Sequence, residues 1–152
     1  IRGLLLDGGA VDARTEALMM AADRAADVEQ VVRPALDRGV VVVSDRFMPS
    51  SIAYQGVGRG LGAEWIDGLS SWATQGLDPD LVVVLDVDSQ TAATRLGKPT
   101  DRMEREPADF HARVRKAYRD LAAAHGWQIV EGSGGPDAVA AAVWDAVEPL
   151  VS

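Results

Sequence analysis

The run Leu81-Val82-Val83-Val84-Leu85 is apolar, rich in β-branched side chains and followed directly by an aspartate. A second run, Val40-Val41-Val42-Val43, has the same character. Neither run alternates apolar with polar residues, so both faces of each should be buried, as in the interior strands of a parallel sheet. The segment Trp127-Gln128-Ile129-Val130 is a third candidate strand.

Helical spacing of apolar residues predicts helices in the intervals around these runs. The predicted helices cover about residues 15–38, 63–75, 108–125 and 136–147. In the first of them, Thr15 is the expected N-cap and Pro34 marks the expected kink or new start. The same helix is expected to bury a stripe that includes Leu18, Val28 and Leu36.

The alternation of helices and strands predicts an α/β fold in which a parallel sheet is flanked by helices. The length of 152 residues suffices for one domain, and we expect a single domain over residues 1–152. Only residues 4–6 could form a strand before Val40, so the predicted sheet lacks a member.

The net charge of −8 argues against a general nucleic-acid-binding protein, because such proteins carry a basic surface. It leaves room for a nucleotide enzyme, which needs only a local cluster of cations. No apolar run approaches the roughly 20 residues that cross a bilayer, so we expect no membrane partner. The absence of cysteine excludes disulfides and thiolate metal sites, and it fits a cytoplasmic location.

Asp45 and Arg46 stand just past the end of the second apolar run, after Ser44. In open α/β sheets, ligands bind in the crevice at the carboxyl ends of the strands. A carboxylate there can hold hydrated Mg²⁺, and a guanidinium can clamp phosphate oxygens. A plain turn aspartate in an ion pair is the alternative, and the spacing alone leaves it open.

The next segment offers polar groups to the same crevice. Ser51, Tyr54 and Gln55 supply a hydroxyl, a phenol and an amide, which can orient a small polar ligand. The alternative is a helix start capped by Ser50. The glycines of residues 56–62 resemble a dinucleotide fingerprint, but they follow no strand, so they predict a flexible connection.

Two further clusters of charge admit both a functional and a structural interpretation. Arg24 lies among alanines on the first helix and belongs either to a solvated face or to the crevice. Residues 95–106 combine Gly and Pro with several cations. They predict either a mobile lid that neutralises charge on a transferring phosphoryl group or an exposed charged loop.

Taken in order, these pieces resemble the thymidylate kinase family over nearly the whole chain. Two of the matching segments are Asp45-Arg46-Phe47 and Ser50-Ser51-Ile52-Ala53-Tyr54-Gln55-Gly56. The others are residues 2–6, 15–18, 22–25, 33–36, 76–81, 101–104 and 113–118. Each segment is short, but the ordered series is specific.

The resemblance implies a P-loop kinase-type fold and transfer of a phosphoryl group from ATP to dTMP, giving dTDP for dTTP biosynthesis. It also implies Mg²⁺ as cofactor and a homodimer, for which Trp65 and Trp72 are candidate contacts. By the same resemblance, Asp45 would hold Mg²⁺ and Arg46 would contact the dTMP phosphate. A lid at about residues 95–107 would carry Arg102 and Arg95 on the ATP side.

The resemblance also implies how the nucleoside of dTMP is held. Arg24 and Ser51 would lie at the polar edge of thymine. Tyr54 would sit against the deoxyribose, where a 2′-hydroxyl would crowd it, and Gln55 would belong to the same wall. Met20 stands where the family has an aromatic ring, and it would cover thymine through dispersion and sulfur contacts. In addition, Phe47 replaces the more usual Tyr or His.

Family members begin with a strand and a glycine-rich loop that ends in Gly-Lys-Ser/Thr. No motif of the form G-x-x-x-x-G-K-[ST] occurs in this chain. We therefore expect the chain to derive from a longer protein and to have little or no kinase activity alone. A non-catalytic nucleotide-binding or dimerisation module remains an alternative. So does another small-molecule kinase of the same architecture, although Arg24 and residues 51–55 match the thymidine-specific pattern.

Overall fold

The computed structural model describes Gly3 and residues 11–97 and 101–151. Its α-helices are α1 (Ala13–Asp27), α2 (Arg33–Asp37), α3 (Met48–Ser51), α4 (Ala63–Thr74), α5 (Ser89–Leu96), α6 (Ala108–His125) and α7 (Pro136–Val151). Its strands are β1 (Val83–Asp86) and β2 (Gln128–Glu131). Two π-helical segments, Val28–Val32 and Ile52–Gly58, follow α1 and α3 respectively.

The two strands pair in parallel, in a register that joins Val83 to Gln128 and Asp86 to Glu131. Helices α5 and α6 lie between them in the chain, so the α/β class and both strand predictions in this region are confirmed. The expected burial of both strand faces is wrong. Val84 and Val130 are buried but lie on opposite faces, and their register partners Ile129 and Leu85 are 46% and 52% exposed, so each face of the sheet is only partly covered.

The predicted strand at residues 40–43 is wrong. These residues lie in no strand, and the side chain of Val43 is 90% exposed. A β-branched run becomes a strand only where a neighbour accepts its backbone hydrogen bonds, and β1 and β2 are the only paired strands in the described parts of the chain. The possible strand at residues 4–6 lies outside the described residues.

Helix α1 begins at a different cap from the predicted one. The Asp12 carboxylate accepts hydrogen bonds from the backbone N–H groups of Arg14 and Thr15, at 3.0 and 3.1 Å. Asp12 is therefore the N-cap, and Thr15 supports it by donating its hydroxyl to the same carboxylate. The predicted new start at Pro34 is confirmed, because the helix widens into the first π-helical segment and α2 then begins with Pro34 in its first turn.

The predicted stripe of the first helix is confirmed at Val28, which is buried, and wrong at Leu18 and Leu36, which are exposed. Leu18 is 54% exposed, whereas Ala17, Ala21 and the charged Glu16 are buried. Hydrophobic periodicity cannot identify the buried face of α1, because one of its buried members is ionisable and the others are small.

The second π-helical segment lies at the centre of the core. On one side Ala53 packs with Phe110 and Val114 of α6, and on the other Ile52 packs with Ala17 of α1 and Ile66 of α4. The predicted flexible connection over residues 56–62 is wrong in its first half, because Gly56 and Gly58 belong to this segment and are buried. None of the helices in the described residues is long and apolar enough to cross a membrane.

Gly58 is expected to tolerate no side chain. A Cβ there would lie 2.8 Å from Cε2 of Phe110 and 3.0 Å from Cγ2 of Val114. Because Phe110 is a buried ring, Gly58→Ala should lower the free energy of unfolding by about 1–3 kcal/mol. Urea unfolding followed by circular dichroism measures the change.

Gly68→Ala is the matched control, because Gly68 is exposed inside α4 with nothing within 4 Å of the added Cβ. This variant should gain about 0.5–1 kcal/mol from helix propensity. Equal effects of the two substitutions would contradict the packing argument.

Candidate functional site

A cleft of about 420 Å³ lies between α1 and the segment that precedes α3. It contains four of the residues singled out from the sequence, namely Met20, Arg24, Asp45 and Arg46. The full lining is Met20, Asp23, Arg24, Ala26, Asp27, Gln30, Val31, Ser44, Asp45, Arg46 and Phe47.

Arg24 connects α1 to the other wall of the cleft. Its Nη1 donates to the Ser51 hydroxyl at 3.0 Å, and its Nη2 donates to the Phe47 carbonyl at 3.3 Å. The guanidinium also lies over the Phe47 ring, 5.5 Å from the centroid. Burial lowers the pKa of Arg24, although Asp23 and Asp27 oppose the shift. The side chain is thus fixed in place before any ligand arrives.

Arg46 has a strained backbone. Its φ of 73° lies in the left-handed region, which is uncommon for residues other than glycine. The Ser44 hydroxyl donates to the Arg46 carbonyl at 2.8 Å and supports this turn. The turn brings the Arg46 guanidinium over the Tyr54 ring, 5.0 Å from the centroid. Arg24, Asp45 and Arg46 therefore line one cleft, while Ser51 and Tyr54 lie outside the lining and contact Arg24 and Arg46, and the predicted nucleotide contacts of all five stay predictions.

The two cleft arginines differ in their ion pairing from three arginines elsewhere in the structure. Arg59, Arg102 and Arg115 each form a salt bridge with a carboxylate. Neither Arg24 nor Arg46 forms one within the described residues. Asp23 and Asp27 lie near Arg24 and Asp45 lies beside Arg46, but no carboxylate of the described residues pairs directly with either guanidinium, and a guanidinium suits phosphate oxygens well.

Asp45 is an exposed residue at the cleft. Within residues 11–97 and 101–151, no three His, Asp or Glu side chains are grouped so as to hold a metal ion. A single carboxylate still fits Mg²⁺, because this ion usually keeps several waters and takes its remaining ligands from substrate phosphates. The predicted metal role of Asp45 is compatible with its position and stays a prediction.

Tyr118 of α6 is a residue beside this site to which sequence reasoning gave no functional role. Its hydroxyl lies 2.6 Å from the Ser50 hydroxyl, and its ring packs edge-on against Tyr54 at 6.4 Å. Helical spacing from Phe110 and Val114 places Tyr118 on the inner face of α6, but it does not reveal that the phenol ends beside the cleft wall.

Gln55 and Arg102 belong to a second polar cluster. Gln55 is buried, and its Nε2 donates to Oε1 of Glu16 at 2.8 Å. Arg102 donates to Oε2 of the same carboxylate. Gln55 is therefore joined to the predicted lid through Glu16, and its predicted contact with thymine remains a prediction.

Arg95 lies in the last turn of α5, not in a loop. Its guanidinium donates to three successive carbonyls, those of Gly132 at 2.6 Å, Ser133 at 2.8 Å and Gly134 at 2.9 Å. These bonds hold the connection between β2 and α7. The predicted lid at residues 95–107 therefore starts inside a helix, and its residues 98–100 lie outside the described part of the chain.

The Tyr118 phenol should report on the polarity of the cleft wall. Burial raises its pKa above the usual 10.0, while the hydrogen bond with Ser50 and the charge of Arg46 partly oppose this. In a Tyr54→Phe background Tyr118 is the only tyrosine left, and tyrosinate absorbance should show titration above pH 10. Adding Ser50→Ala should raise that pKa further.

The raised pKa has a consequence for stability. A phenol that ionises less readily when folded stabilises the fold fully below its unfolded pKa, and this contribution is lost as pH rises through the folded pKa. Titration of Tyr118 at or below the ordinary value would contradict the burial of its hydroxyl.

Comparison with known proteins gives the family of the chain. A family profile described as thymidylate kinase matches residues 1–143. A thymidylate kinase of Clavibacter michiganensis subsp. michiganensis (strain NCPPB 382) is 49% identical over 149 residues, which are 95% of this chain and 71% of that protein. One of Clavibacter sepedonicus is 54% identical over 138 residues, covering 88% of this chain and 65% of that protein. One of Bifidobacterium longum (strain DJO10A) is 47% identical over 157 residues, covering 99% of this chain and 76% of that protein. The chain belongs to the thymidylate kinase family.

Proposed function

We propose that this chain supplies the dTMP side of a kinase that converts dTMP and ATP to dTDP and ADP in dTTP biosynthesis. The observation that carries the proposal is the pair Arg24 and Arg46 on one cleft, neither of them in a direct salt bridge with a carboxylate of the described residues. A nucleoside monophosphate carries a phosphate for these cations and a base for the remaining walls. Family membership makes dTMP the expected nucleotide.

Each wall of the cleft has a proposed role in holding dTMP. Arg46 binds the phosphate, and its position over Tyr54 aims the guanidinium into the cleft. Arg24, already held by Ser51, presents its remaining donors to the polar edge of thymine. Met20 is half-buried at the cleft and covers the ring.

The chemical step needs little covalent work from the protein. An oxygen of the dTMP phosphate attacks the γ-phosphorus of ATP in line, and the oxygen that bridged to the β-phosphorus leaves with ADP. Asp45 would hold Mg²⁺ through water, and the ion would offset charge on the transferring phosphoryl group. Arg46 orients the acceptor, and Arg102 and Arg95 are the proposed cations of the ATP side. We place this activity in the cytoplasm.

We also propose that the chain forms a homodimer. Trp72 and Trp65 on α4 are 79% and 52% exposed, and large aromatic side chains are typical anchors of interfaces. Light scattering at micromolar concentration should give twice the monomer mass, and Trp72→Ser should shift the chain towards monomer. A monomeric wild-type chain at that concentration would refute the dimer.

The substrate assignment predicts how two substitutions act on nucleotide binding. Arg24→Gln and Arg46→Gln each remove a charged donor, so dTMP affinity should fall about 10- to 100-fold. Calorimetry on the 152-residue chain measures this without ATP. Phosphoryl transfer itself is measured as ADP release by a protein that carries these residues together with a phosphate-binding loop, with dTMP, dUMP and other monophosphates as acceptors.

Arg119→Gln is the matched control for charge. Arg119 is 60% exposed on α6, and it lies 3.8 Å from Asp86 rather than in the cleft. It should change dTMP affinity less than threefold, because exposed charges at a distance are screened. Unchanged dTMP binding in both cleft variants would refute the site, and equal turnover of another acceptor would refute the substrate.

A further inference from the structure

Glu16 is a buried carboxylate to which the proposed reaction assigns no role. It lies in the first turn of α1, and none of its side chain is exposed. Both of its oxygens accept hydrogen bonds, Oε1 from Gln55 at 2.8 Å and Oε2 from Arg59 at 3.1 Å and from Arg102. Burial by itself raises the pKa of Glu16, but the bonds from these three residues outweigh it and hold the pKa below the usual value. The carboxylate is therefore a charged acceptor, not a neutral acid.

The segment of residues 101–106 is attached to the rest of the molecule around this carboxylate. Arg102 forms its salt bridge with Glu16, and Glu106 forms one with Arg59 at 2.6 Å. Arg59 also donates to the Met103 sulfur at 3.6 Å. Three residues of the segment thus contact the surface formed by α1 and the end of the second π-helical segment.

Residues 101–106 belong to no helix or strand. They form a turn in which the Glu104 N–H donates to the Asp101 carboxylate at 2.9 Å and the Arg105 N–H donates to the Asp101 carbonyl at 3.3 Å. The turn is placed by its side-chain contacts, because Met103 packs against the core cluster of Ala53 and Phe110 while Arg102 and Glu106 form salt bridges with Glu16 and Arg59.

Glu16 also reaches the wall of the cleft through the chain itself. Gln55, which donates to Glu16, directly follows Tyr54, whose ring lies under the Arg46 guanidinium. Contacts thus connect the carboxylate to the segment at residues 101–106 and, through the backbone of residues 54 and 55, to the residue that supports the proposed phosphate contact.

We propose that Glu16 is a positioning residue that docks the segment of residues 101–106 onto α1 and the second π-helical segment. It thereby fixes the position of this segment relative to the cleft wall. It acts through Arg102, Arg59 and Gln55 and does not itself touch a nucleotide. The docking is inferred from contacts in the structure. Only its importance for phosphoryl transfer rests on the proposed function.

Hydrogen exchange followed by mass spectrometry on the full chain tests the docking. Glu16→Gln keeps the side-chain volume and removes the charge, and Arg102→Gln removes the partner. Each should speed exchange in residues 101–106 about 10- to 100-fold, as expected for the loss of a charged hydrogen bond. Because both variants break the same contact, the double variant should exchange no faster than the faster single one.

Two further variants separate positioning from a general structural effect. Asp120→Asn is the matched control, because it neutralises a carboxylate in the exposed Lys116–Asp120 pair and should leave exchange in residues 101–106 unchanged. Arg102→Lys keeps the positive charge and should restore most of the protection that Arg102→Gln loses. A purely structural requirement for Glu16 would speed exchange throughout α1 and α4 and would not respond to the charge at Arg102.

Several outcomes would overturn the proposal. They are unchanged exchange in residues 101–106, an increase spread evenly over the chain, or additive effects of the two single variants. If Glu16→Gln does not fold, Arg102→Gln and Arg102→Lys decide the question, since Arg102 is on the segment and not in the core. Exchange is measured without nucleotide, so a wild-type chain that fails to bind dTMP would refute the proposed function and leave the docking result standing.

Discussion

A carboxylate with no exposed surface must be surrounded by donors, and this requirement at Glu16 determines how three parts of the chain meet. Gln55 comes from the second π-helical segment, Arg59 directly follows that segment, and Arg102 comes from the segment at residues 101–106. Removing one donor would leave charge buried with too few partners, which costs far more than an exposed ion pair gains. The three donors therefore depend on one shared carboxylate for their positions.

The second π-helical segment connects this cluster, the core and the cleft, because its successive side chains point in different directions. Ile52 packs towards α1 and α4, and Ala53 packs towards α6. Tyr54 then supports Arg46, and Gln55 reaches Glu16. Since the core holds the segment on two sides, the cleft residues inherit their positions from packing and need no large rearrangement to meet a ligand.

The sequence predicts those features that depend on local pattern. Helix α6 and the restart of the first helix at Pro34 follow from spacing and from the chemistry of proline, and the structure confirms both. Local pattern fails where a distant partner decides the outcome. The valines of residues 40–43 have strand propensity without a paired strand, and Glu16 is buried by residues 39 and 86 positions away in the chain. Hydrophobic periodicity predicts that such a glutamate faces solvent, because it reflects only the hydrophobicity of each residue. It contains no information on the hydrogen-bond donors that folding brings close to the carboxylate.

Arginine has different roles around Glu16 and in the cleft. The difference lies in which molecule supplies the anion that pairs with the guanidinium. Around Glu16 the protein supplies the anion, so Arg59 and Arg102 hold the structure together. In the cleft, Arg24 is held by a hydroxyl and a carbonyl, which orient a guanidinium without neutralising it. In a chain of net charge −8, an approaching phosphate is repelled at long range, so its binding depends on cations that are close and already oriented. Orientation by neutral acceptors meets both conditions, because the charge stays available while the side-chain entropy has already been lost in folding.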